Sequence, residues 1–238
     1  MTEKLLAELR SLAINCGADE FAVADLQKHA AEIACYYDDD ILAYPRAISI
    51  AVYFPRQIME AIEDGPTRQY LTYYDALNAR INDICYRLAN LLNKKGYLAL
   101  PIPASQRLGG DRLEGLFSHR LAAHLAGIGF IGKNCSLIHP KVGPWLRLGT
   151  VLTDALLPAN TQILPNACGK CQKCVDICPA EAIKGVVYAE GQPIEERFDG
   201  IACDRFLTEM RMSFGKRICG RCVAVCPWGK KGSVSDDC

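Results

Sequence analysis

The sequence has little that would carry it into a membrane or out of the cell. No stretch reaches the roughly 18 consecutive apolar residues of a membrane-spanning helix. The opening, Met1-Thr2-Glu3-Lys4, runs into an amphipathic segment and not into the roughly 7 to 15 apolar residues of a secretory signal. Excess charge is missing as well: Lys plus Arg and Asp plus Glu both total 27. No bulk field of either sign therefore draws the chain to nucleic acid or to an anionic membrane. Low-complexity tracts are absent, and with 50% hydrophobic and 23% charged residues the 238-residue chain has the profile of a globular protein. A cytoplasmic protein with one ordinary domain and one small one is expected.

Cysteine is abundant. Thirteen are present, and because cytoplasmic thiols are kept reduced, that number points to metal or redox chemistry before disulfides. Eight fall between Cys168 and Cys226, whereas the first 150 residues hold only Cys16, Cys35, Cys85 and Cys135. Isolated thiols of that kind read as small buried hydrophobes. Cys238 ends a polar stretch after Cys226 that is expected to be frayed.

Cys168, Cys171, Cys174 and Cys178 are followed by Pro179 and have two, two and three residues between them. This is the run of bacterial two-cluster ferredoxins, in which the fourth cysteine ligates the other cluster. At the chain's own cysteine frequency such a set arises at a given start with a probability of roughly one in 100,000. A second motif is therefore expected, and Cys219, Cys222 and Cys226 before Pro227 supply it, except that Lys216 stands where its first cysteine belongs. Cys203 is the nearby spare. One 4Fe-4S cluster is thus assigned to Cys168, Cys171, Cys174 and Cys226, the other to Cys178, Cys203, Cys219 and Cys222. Two zinc sites would also consume eight cysteines, but zinc has no need of this run or of a swapped ligand.

The first part reads as alternating elements. Leu5, Leu6, Leu9, Leu12 and Ala13 predict a helix from about Thr2 to Asn15. Phe21–Ala24 and Ala47–Phe54 read as strands with a short helix between them. Apolar positions every three or four residues from Thr67 to Lys95 predict a long helix closed by Gly96. A strand over Tyr97–Pro101 and a helix over Leu116–Ala126 follow, then a hairpin pairing Cys135–His139 with Trp145–Leu152 around Pro140–Gly143. The fold class is α/β or α+β: an N-terminal α/β domain over residues 1–160 and a bacterial ferredoxin-like double-cluster domain over residues 161–238.

Gly127-Ile128-Gly129-Phe130-Ile131-Gly132 matches the dinucleotide fingerprint in letters only, because helix precedes and strand follows where the fingerprint needs the reverse. A flavin- or nicotinamide-linked oxidoreductase thus lacks its nucleotide motif. The stretch Gly127 to Asn134, then Leu137-Ile138-His139-Pro140 and Gly143, then Leu148-Gly149-Thr150 and the paired cluster motifs, resembles the cobalamin-dependent epoxyqueuosine reductase family and its shorter relatives, from about Tyr44 to Pro227.

That resemblance implies a corrinoid-reductase-like N-terminal domain holding cobalamin base-off, its cobalt reduced by the nearer cluster, and an architecture shared with reductive dehalogenases. It implies cofactor-binding roles around Gly127, Gly129, Gly132, Lys133, Asn134 and Cys135. His119 is a candidate proton donor, Tyr73 a candidate phenol beside Tyr74, and Asp111 and Glu114 candidate displaced acids. The family's Asp-Ser-Ala-Pro tract, whose acid protonates the substrate, falls with its Asp at Leu113, and Tyr73-Tyr74 replace its Tyr-His pair. The helical-repeat extension that helps to hold tRNA is not found in the sequence. The expected function is electron transfer from two clusters to a bound corrinoid, reducing an unidentified substrate. The alternative is an electron-transfer or corrinoid-activating partner protein. Expected partners are a ferredoxin or flavodoxin as electron donor and a corrinoid protein, with tRNA the less favoured candidate.

Overall fold

The computed structural model describes residues 2–34, 36–105 and 115–231. In chain order it holds α1 (Thr2–Asn15), β1 (Glu20–Asp25), α2 (Ala30–Ala34), α3 (Asp39–Leu42), β2 (Arg46–Tyr53), α4 (Arg56–Glu60), α5 (Arg68–Lys94), β3 (Ala99–Ile102) and α6 (His119–Leu125). There follow β4 (Phe130–Ile131), β5 (Leu137–Ile138), β6 (Leu146–Thr153), α7 (Lys173–Asp176), α8 (Gly200–Phe214), α9 (Arg221–Ala224) and α10 (Pro227–Lys230). No described helix is long and apolar enough to cross a membrane.

The chain divides into two compact units, each assembled from several segments. One takes Met1–Val52, Ala76–Gly129 and Arg147–Leu164; the other takes Tyr53–Asp75, Phe130–Leu146 and Pro165–Cys238. The segments 53–75 and 130–146 thus belong with the cysteine-rich residues.

In the first unit a four-stranded sheet runs in the order β1-β2-β6-β3, and β1 pairs with β2, and β3 with β6, antiparallel. The inner strand β2 is buried at six consecutive positions, Ala47 to Val52, because a strand covered on both faces has no solvent side on which to alternate. Helix α1 buries Leu5, Leu9 and Ala13 at every fourth position. Helix α5 buries Ile81, Ile84, Cys85, Leu88 and Leu92 in the same core, each large side chain contributing about 1.5 to 3 kcal/mol. Burial pushes the Cys85 thiol up to about 12, so it is a protonated core side chain.

Two expectations need correction. Strand β5 pairs with β4, not with β6, in the register Phe130↔Ile138 and Ile131↔Leu137. The tight turn closed by Gly132 N–H to Ser136 O and Cys135 N–H to Gly132 O brings these two-residue strands together, while β6, buried along most of its length, takes an inner place in the large sheet. Residues 227–230 are also helical, not frayed: Pro227 starts α10, Gly229 is buried, and Trp228 stacks edge-on with Phe130 at 5.5 Å.

At Gly149 of β6 a Cβ would lie 2.5 Å from Ile81 Cγ2, 2.7 Å from Cys85 Sγ and 3.0 Å from Ile50 Cγ1. Close-packed interiors resist extra volume. Gly149→Ala is expected to lower stability by about 1 to 3 kcal/mol, read as a lower urea midpoint; an unchanged midpoint would contradict the packing described.

Candidate iron-sulfur centre and its surroundings

The cysteine-rich unit carries two copies of one local design. Cys174-Val175-Asp176-Ile177-Cys178-Pro179 and Cys222-Val223-Ala224-Val225-Cys226-Pro227 match in spacing, and each opens on a four-residue helix, α7 and α9, that pack together. Cys203 comes from α8, whose first turn is capped by the Asp199 carboxylate accepting from Ala202 N at 2.8 Å. Lys216, at the place of the missing thiol, instead pairs with Asp75 and lies 5.0 Å over the Tyr74 ring.

The thiols sort themselves electrostatically. Burial, then the neighbouring charges of Cys168, Cys226 and Cys171, pushes the Cys174 thiol up to about 11. Cys226 is likewise pushed up to about 11 by burial, with Cys168 and Cys171 adding to it. Cys222 is raised by burial and then by Cys219, Cys178 and Cys203, with Cys174 last; Cys219 is raised by burial, with Cys178 acting in the same direction. The neighbours felt by Cys174 are those of its expected set, while Cys222 feels its expected set and Cys174 as well. Such thiols resist ionisation until positive charge is placed among them, and metal ligation deprotonates a thiol outright. The four thiols so raised are therefore suited to metal ligation.

Among the described residues no group of three or more His, Cys, Asp or Glu is arranged to hold one metal ion. A four-iron cube interposes its own irons and sulfides between the thiolates, so it asks for a wider setting than one zinc at about 2.3 Å from each sulfur.

The residues expected to hold a corrinoid are put to another use. A Cβ at Gly127 would run into the Asn160 side chain and lie 2.5 Å from Gln162 O; one at Gly132 would lie 2.7 Å from Ile138 Cγ1. The Gly129 carbonyl accepts from His124 Nδ1 at 3.0 Å. Lys133, 5% exposed, donates from Nζ to Gly169 O and Cys171 O, both at 3.0 Å. Asn134 Nδ2 donates to Cys222 O at 3.1 Å. Cys135 is buried at φ +56° with Arg197 Nη1 3.5 Å from its sulfur. In these contacts the Lys133 and Asn134 side chains serve the cysteine loops, and Gly127 and Gly132 each lie against neighbouring atoms of the chain.

Three contacts escaped the motif reading. Asn166 Oδ1 accepts from Cys168 N at 2.9 Å while its Nδ2 donates to Ile131 O at 2.7 Å, and Trp145 Nε1 donates to Val223 O at 3.1 Å. An Asx turn two residues before the first cysteine was a readable signal for Asn166; Trp145 and the buried Arg197 had none.

Of the candidate proton donors, Asp111 and Glu114 lie outside the described residues, as do Leu113, Cys35 and Cys238. Tyr73 is 41% exposed on α5, so it is not a core aromatic. His119 has both ring nitrogens engaged: Nδ1 with Thr150 Oγ1 at 2.9 Å and Nε2 with Pro103 O at 3.4 Å. A carbonyl only accepts, so Nε2 carries the proton and Nδ1 accepts from the threonine hydroxyl. Burial lowers the His119 pKa to about 4, with Arg147 and Arg120 adding to the effect, and the ring is neutral at pH 7. The unfolded chain then binds the extra proton between pH 6.5 and 4, so this stabilisation is complete above pH 6.5 and is lost as pH falls toward 4. The urea midpoint of the wild type is expected to fall more steeply from pH 7 to pH 4.5 than that of His119→Gln; parallel curves would contradict the assignment.

Residues 167–229 match the family described as 4Fe-4S double cluster binding domain. An epoxyqueuosine reductase of Bacillus anthracis is 38% identical over 126 residues, 49% of this chain and 30% of that relative. The match thus spans under a third of the relative's length. The crystal structure of an epoxyqueuosine reductase with an epoxyqueuosine-modified tRNA-Tyr stem loop superposes with a TM-score of 0.61 at 23% identity, covering 99% of this chain and 68% of that one. A reductive dehalogenase structure whose description invokes B12-dependent dehalogenation superposes with a TM-score of 0.72 at 22% identity, covering 95% of this chain and 32% of that one. The chain is thus similar in sequence to epoxyqueuosine reductases over about half its length and shares their fold over nearly all of it, and its residues 167–229 match the 4Fe-4S double cluster binding domain.

Proposed function

We propose that the protein is an iron-sulfur redox protein that passes electrons from two 4Fe-4S clusters to a corrinoid for the reduction of an unidentified substrate. The observation that carries the cluster part of this reading is the match of residues 167–229 to the 4Fe-4S double cluster binding domain, over the two cysteine motifs at Cys168–Cys178 and Cys219–Cys226. Cys168, Cys171, Cys174 and Cys226 would hold one cluster, and Cys178, Cys203, Cys219 and Cys222 the other. When bound, the clusters supply one-electron transfer and the corrinoid supplies a strongly reducing cobalt centre. The clusters would sit in the unit formed by Tyr53–Asp75, Phe130–Leu146 and Pro165–Cys238, which is not the simple division at residue 160 that the sequence suggests.

The corrinoid rests on likeness to the epoxyqueuosine reductases and to the dehalogenase described as B12-dependent. Transfer RNA is a candidate substrate because a structural neighbour was solved with a modified stem loop, although the balanced charge gives it no bulk attraction. His119, neutral and doubly hydrogen-bonded, would position and not donate; Tyr73 offers an exposed phenol. Reduced thiols would suit a cytoplasmic protein, with a ferredoxin or flavodoxin as its electron donor.

One observation favours a second reading, a corrinoid-activating or electron-transfer partner with no substrate of its own: Leu113 stands where the family's substrate-protonating acid falls. The test common to both is anaerobic titration of the reconstituted protein with cob(II)alamin, followed by electron paramagnetic resonance. Saturable conversion to a base-off signal is expected. An unshifted signal would overturn corrinoid binding and leave an electron carrier.

A further inference from the structure

Lys133 is a buried cation whose donors have been accounted for but whose charge has not. Fully buried lysines are rare unless paired, and a charge taken out of water needs a reason. Here the two acceptors seen are main-chain carbonyls, Gly169 O and Cys171 O, each at 3.0 Å. Both belong to the turn that presents Cys168 and Cys171. The same hairpin reaches the second motif through a neutral side chain, Asn134 Nδ2 to Cys222 O at 3.1 Å. One dipeptide therefore holds both cysteine loops but places its positive charge on only one of them.

We propose that Lys133 is a positioning residue of the Cys168, Cys171, Cys174 and Cys226 cluster and raises that cluster's reduction potential. The inference rests on the cluster reading above. Reduction adds one electron, and so one negative charge, to the cluster. A buried ammonium bound to the backbone of a ligating residue favours the reduced form, because Coulomb interactions are weakly screened away from water. Hydrogen bonding and charge around the sulfurs are among the levers that set such potentials. The Asn134 contact fixes geometry at the other loop without adding charge.

The experiment is an anaerobic redox titration of the two-cluster protein, with dithionite as reductant and electron paramagnetic resonance as readout. Wild type is compared with Lys133→Met, Lys133→Gln and Lys133→Arg, with iron and sulfide counted in each. Lys133→Gln keeps amide donors but loses the charge; Lys133→Arg keeps the charge. The expected result is full iron content with one of the two midpoint potentials lowered in Lys133→Gln and Lys133→Met, and restored in Lys133→Arg. Should Lys133→Met fail to fold, Lys133→Gln carries the comparison. Potentials equal to wild type in Lys133→Gln, or an equal fall of both, would overturn the proposal. Wild-type protein without iron would instead overturn the cluster reading itself, so the two failures are distinguishable.

Discussion

Thiolates crowded out of water repel one another, and the cysteine-rich unit is organised around that constraint. Cys174, Cys222 and Cys226 are each held well above the usual thiol range by burial and by the sulfurs around them. Such a cluster of thiols is costly as it stands and becomes favourable once cationic iron compensates the charge. The remaining structure of this unit can be read as support: short helices that open each motif, a capped helix that delivers Cys203, and a hairpin that holds the loops apart at fixed points.

The hairpin is the less expected element. Its glycines resemble a nucleotide- or cofactor-binding loop, yet the space beside Gly127 and Gly132 is filled by Asn160, Gln162 and Ile138. Lys133, Asn134, Asn166 and Trp145 form a row of donors from or onto this segment that reach or brace the loops around Cys168, Cys171 and Cys222. A segment that reads as ligand chemistry is, in the side-chain contacts of Lys133 and Asn134, internal carpentry, and its residues from Phe130 on group with the cysteines.

The legible parts were those whose physics is local in sequence. The buried stripe of α5 follows from helical periodicity, and the doubly covered strand β2 from a largely apolar run bounded by prolines. The double-cluster domain follows from cysteine spacing, and the family match over residues 167–229 agrees. The β4–β5 pairing was misread because two-residue strands carry no periodicity and are decided by a turn. The contacts of Lys133 were invisible because their acceptors are carbonyls 36 and 38 residues further along, and main-chain acceptors leave no trace in residue type. The candidate acids Asp111 and Glu114 lie outside the described residues.

The central claim is that eight thiols hold two iron-sulfur cubes. Its most direct test is the metal and acid-labile sulfide content of protein purified without air. The account predicts brown protein with about eight irons and eight sulfides per chain. A colourless protein with stoichiometric zinc and no sulfide would contradict it.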